Sequence, residues 1–197
     1  MSNRDRGLLA GIVFAVLFAQ VVLYPGIPAL VSALGGTPAG WGGDAGAILD
    51  AGKWFLTAEF LGFVVFAGIW GAVSDALGRR TPLVAAGAVL GAGSYLVLVV
   101  VPQTVGLAYP GVLLVRFLGG GATIGAFSLA IATLMDLDGG SGRNMGAAGI
   151  AIGLGTALGA PVGGQLYARG PFVPLVVAAA CMLGAAGLAG VVTDRAG

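Results

Sequence analysis

Apolar residues run through this chain in six long blocks, near 8–30, 54–74, 82–101, 107–134, 145–167 and 171–192. A helix needs about 20 such residues to cross a hydrocarbon core about 30 Å thick, and every block reaches that length. The fourth is longer, so it should tilt or protrude. Turn residues fill the breaks: Gly35, Gly36, Pro38, Gly40, Gly42 and Gly43 in the first loop, Pro102 and Pro110 in the third, and Gly139, Gly140 and Gly142 in the fourth. No soluble domain fits between the blocks. The pattern predicts an all-α membrane protein in which residues 1–197 form one domain of six transmembrane helices.

Composition agrees, since only 9% of residues are charged and 58% are hydrophobic, whereas soluble domains carry about a quarter charged residues. The basic residues set the orientation. Arg4, Arg6, Arg79, Arg80, Arg143 and Arg195 fall on one side, and Lys53 and Arg169 on the other. The side richer in arginine is cytoplasmic by the positive-inside rule, which places both termini there. Arg4 and Arg6 before the first block suggest a secretory signal, but the block is too long for one and reads as a retained helix. A net charge of +1 gives no reason to expect nucleic acid. Cys181 is the sole cysteine and reads as a packed thiol. With no histidine, the commonest general base and metal ligand is missing, so proton handling falls to carboxylates. Neither a metal site nor a phosphate-cradling loop is evident, so no cofactor and no enzyme activity is expected. Trp41, Trp54 and Trp70 suit membrane interfaces, with an inward-facing Trp70 as the alternative.

Within the blocks, a few polar residues stand out. Arg116 lies in the fourth, where arginine costs about 2 to 3 kcal/mol to insert. It is kept there for function or snorkels to the outer interface. Glu59 is the only acidic residue well inside a block and lies at a similar depth. It either pairs with Arg116 or reaches external water; as a pair, their separation would switch protonation. Gln20 and Tyr24 share a helical face near Pro25 and Pro28, and they line a substrate pathway or glue helices together. Glycines such as Gly87, Gly91, Gly93, Gly149, Gly153, Gly155 and Gly159 serve close helix packing or sliding.

The loop Gly71-Ala72-Val73-Ser74-Asp75-Ala76-Leu77-Gly78-Arg79-Arg80 resembles the signature loop of the major facilitator superfamily, G-x-L-a-D-r-x-G-R-r. Gly71, Asp75, Gly78, Arg79 and Arg80 match, while Val73 and Ala76 depart from it. The resemblance implies a cytoplasmic gating loop in which Asp75 faces the other half of a transporter. Gly78 permits a tight turn there, and Arg79 can reach Asp136 at the end of the fourth block. Arg116 to Gly120 is similar to the family's fourth-helix pattern R-x-x-x-G, which implies proton coupling. Gly155, Gly159, Gly163 and Gly164 match the fifth-helix antiporter motif G-x-x-x-G-P-x-x-G-G, with its proline displaced to Pro161.

Taken together, the resemblance implies one half of the major facilitator fold, a 3+3 inverted repeat, in the plasma membrane. The implied function is proton-coupled export of a small solute or drug by alternating access. Glu59 and Arg116 would couple protons, and Gln20, Tyr24 and Arg116 would line the substrate pathway. A full family transporter has twelve helices, so a second six-helix half is expected as a partner. That half is the rest of a longer transporter, a separate chain, or a second copy in a parallel homodimer. Competing readings are a nutrient symporter or uniporter half, and a non-transporting assembly or regulatory subunit.

Overall fold

The computed structural model describes residues 3–36, 45–104, 106–138 and 140–192. Pro38, Gly40, Trp41, Gly42, Gly43, Gly139 and Arg195, singled out above, lie outside the described residues. The helices are α1 (Asn3–Val21), α2 (Ile27–Ala33), α3 (Ala45–Leu77), α4 (Thr81–Thr104), α5 (Tyr109–Met135), α6 (Ser141–Tyr167) and α7 (Val173–Ala189). A short 3-10 turn, Tyr24–Gly26, joins α1 to α2. Five spans are long and apolar enough to cross a membrane: α1 with α2, then α3, α4, α5 and α6. The sixth predicted span is the shorter apolar helix α7, with 17 residues. At about 1.5 Å per residue it extends about 26 Å.

Three boundaries differ from expectation, each for a physical reason. The first block is two helices rather than one kinked helix. Pro25 and Pro28 carry no backbone N–H and stand at the opening positions of the 3-10 turn and of α2, where none is needed. Helix α3 begins at Ala45, well ahead of 54, and carries Asp50 and Lys53 as an exposed i, i+3 ion pair on its first turns. Pro102, expected in a loop, lies inside the last turn of α4. So near the helix end it forfeits a single hydrogen bond before the chain leaves the helix.

Helix α5 packs along α3 and α4, α1 packs along α6, α7 and α5, and α4 also packs on α7. Leu9, Val16, Phe55, Tyr95, Leu134 and Met182 are buried in this core. Glycine lets the helices approach. Gly62 of α3 lies under the Phe117 carbonyl of α5, and Gly120 of α5 lies under the backbone of Glu59. A Cβ at Gly87 would fall 2.7 Å from Ala126 N, closer than any side chain tolerates. Helices α3 and α6 are peripheral and expose large apolar side chains, among them Leu61, Val64 and Ile69 of α3 and Ile150 and Leu154 of α6.

Candidate functional site

Glu59 and Arg116 form an ion pair between α3 and α5, through Oε2 and Nη2. The two residues are 0% and 2% exposed, so of the two readings of Glu59 the structure takes the buried pair over contact with external water. The close crossing at Gly120 brings the two helices near enough for this. Around the pair the site is aromatic. Arg116 Cζ stands 4.5 Å from the ring centroid of Phe55 and 5.7 Å from that of Tyr95. Outside the ion-pair contact, Glu59 Oε1, Arg116 Nε and the Tyr95 hydroxyl have no hydrogen-bond partner of good geometry. A buried pair depends on its geometry, because the low dielectric makes any polar atom left without a partner costly.

About one turn further along α3 and two along α5, toward the α3–α4 loop, Gln20 of α1 is 7% exposed and borders a 220 Å³ pocket with Leu17, Phe63, Thr123, Ile124 and Phe127. The structure thus places Gln20 between α1, α3 and α5. Tyr24 sits in the 3-10 turn, within electrostatic reach of both Glu59 and Arg116. Two other tyrosines tie helix ends together: Tyr109 donates to the Ala51 carbonyl at 2.6 Å, and Tyr167 donates to the Leu23 carbonyl at 2.8 Å.

At the opposite end, Gly78 takes φ +63°, a left-handed conformation that glycine adopts without strain, and so turns the chain between α3 and α4. Gly71 lies on the last turns of α3, while Asp75 and Arg79 are exposed. Arg80, next to Arg79, pairs with Asp136. The pair is a third to two thirds exposed, so its energetic worth is modest.

A second cluster on this side went unnoticed in the sequence. Arg6 Nε donates to Asn144 Oδ1 at 2.8 Å and Nη2 to the Asp138 carbonyl at 2.7 Å. Asn144, 0% exposed, donates in turn to the Leu137 carbonyl at 2.7 Å.

In α6, Gly155 packs on the Phe14 carbonyl, Gly159 on Val21 and Gly163 on the Val22 carbonyl. Gly164 faces open space, and Pro161 is exposed within a continuous helix. Three of the motif glycines therefore make one seam with α1, which Pro161 and Gly164 do not join.

No curated protein matches the chain. The sequence model of the Major Facilitator Superfamily matches residues 4–196. With long apolar helices around a buried ion pair and this match along nearly its whole length, the chain belongs to the Major Facilitator Superfamily, a family of multi-pass membrane transporters.

Proposed function

We propose that this chain is half of a secondary active transporter that exports a small solute or drug in exchange for protons by alternating access. The observation that carries the reading is the sealed Glu59–Arg116 ion pair, a carboxylate and a permanent cation held in apolar surroundings. A proton on Glu59 removes one charge of the pair and changes what Arg116 must bind, which links protonation to helix position. Gln20, Tyr24 and Arg116 line the substrate pathway in this reading. The loop from Gly71 to Arg80, with Asp136, gates the cytoplasmic side, and the α1–α6 glycine seam carries the exporter motif.

Residues 1–197 act as one six-helix domain with α7 as the sixth span and both termini in the cytoplasm, in the plasma membrane. The helix pairing supports a 3+3 inverted repeat. Helix α3 packs on α5 as α6 packs on α1, and α4 packs on α5 as α7 packs on α1. A second six-helix half, as a separate chain, a second copy or a longer transporter's remainder, covers the other side of the pathway.

The test is extrusion of ethidium from cells expressing the chain, with and without a protonophore. Export that depends on the proton gradient and is lost in Glu59→Gln supports the reading. Protonophore-insensitive export, dye accumulation, or full activity of Glu59→Gln would overturn it.

A further inference from the structure

Phe55 and Glu59 stand four residues apart on one face of α3. The same guanidinium that pairs with Glu59 meets the Phe55 ring at 4.5 Å and the Tyr95 ring of α4 at 5.7 Å. Phe55 is fully buried and Tyr95 is 1% exposed. Both distances fall within the range over which a ring attracts a cation, and the attraction is strongest without water. The Tyr95 hydroxyl also lies within reach of the guanidinium, without a hydrogen bond of good geometry, so this tyrosine offers Arg116 its oxygen as well as its ring face. Arginine stays charged under all physiological conditions. Neutralising its one anion would therefore leave a lone cation in apolar surroundings, among the costliest arrangements available to a membrane helix.

We propose that Phe55 and Tyr95 are positioning residues, an aromatic cage that holds the Arg116 cation in place while Glu59 carries a proton. The proposal rests on reading Glu59 and Arg116 as the proton-coupling pair. In the charged state, the carboxylate and the rings share Arg116. Once a proton joins Glu59, the rings alone retain the cation, so the site loads its proton without expelling the arginine toward the interface. Glu59 is faced by Arg116 from α5, Tyr95 from α4 and Tyr24 from the turn between α1 and α2; Tyr109 and Tyr167 lie within electrostatic reach of Arg116.

The experiment is thermal unfolding in detergent micelles of Phe55→Leu and Tyr95→Leu, each made in the native protein and in a Glu59→Gln background that mimics the protonated acid. Each cage substitution is expected to cost more in the Glu59→Gln background, by about tenfold in the folded-to-unfolded ratio. Equal losses in both backgrounds overturn the cage. Tyr95→Phe keeps the ring and is expected to match native Tyr95 in both backgrounds; behaviour like Tyr95→Leu would assign the effect to the hydroxyl and remove Tyr95 from the cage. Phe55→Trp preserves a ring face, so it must restore what Phe55→Leu loses, and it stands in should the leucine variant fail to fold. In proton-driven export, Phe55→Leu is expected to shift the pH profile about one unit more acidic, since the proton-loaded state has lost support; an unmoved profile counts against the cage. Proton coupling that survives in Glu59→Gln would sink the transport reading while leaving the stability coupling in place, so the two failures are distinguishable.

Discussion

Neither Glu59 nor Arg116 can exchange its partner for water unless a helix moves, because their exposures are 0% and 2%. Removing one member strands the other. Arg116→Ala is expected to cost about 3 to 5 kcal/mol at alkaline pH, where Glu59 is left as an uncompensated buried charge. Acid neutralises that charge, so the loss should shrink as pH falls; thermal unfolding across pH checks this, and a loss independent of pH would contradict it. Asn144→Ala leaves Arg6 Nε and the Leu137 carbonyl short of a partner, at an expected cost of about 1 to 3 kcal/mol in the same assay. The two sites were unequally legible. A charge inside an apolar block stands out against its background, which is why Glu59 and Arg116 were visible. Asn144 lies at the start of α6, where polar residues are ordinary, and its partner Arg6 is 138 residues away.

Between elements, the spacing of glycines revealed a seam but not which glycines make it. Gly155, Gly159 and Gly163 recur every four residues and face α1, whereas Gly149, Gly153 and Gly164 meet nothing within 4 Å. The same residue type at neighbouring positions therefore has opposite sensitivities. Gly163→Ala drives a methyl into the Val22 carbonyl and is expected to cost about 1 to 3 kcal/mol by forcing α6 off α1. Gly164→Ala adds a methyl in open space and should be neutral or stabilising by up to about 1 kcal/mol through helix propensity. Unfolding measurements on the two variants decide the matter, and equal effects would mean the seam is not where the structure places it. Helix ends were harder to read than helix existence. Asp50 and Lys53 made the start of α3 look like loop, and Pro102 made the end of α4 look broken. In both places the helix extends past its apolar block, and the hydropathy pattern carries no signal there.

At the scale of the molecule, the predicted blocks located every long helix among the described residues, because a membrane span must be continuous in sequence. The assignment of sides rests on arginine placement and can be tested with Cys181 replaced by serine. Gln103→Cys, at the end of α4, is expected to react with an impermeant maleimide in intact cells, and Ser141→Cys, at the start of α6, only after permeabilisation; the reverse pattern would invert the topology. The exposed apolar faces of α3 and α6 belong against lipid or a second half, a distinction that rests on a partner's presence rather than on the chain's own residues.

The bond from Tyr167 to the Leu23 carbonyl lies within the interruption of the first span. A broken rod pivots at its break, and this phenol pins the pivot to the far end of α6. Should α2 tilt, the end of α6 must swing with it or release that pin. Two helices remote in sequence thus become one lever, and Tyr167→Phe would leave α2 to turn on its own.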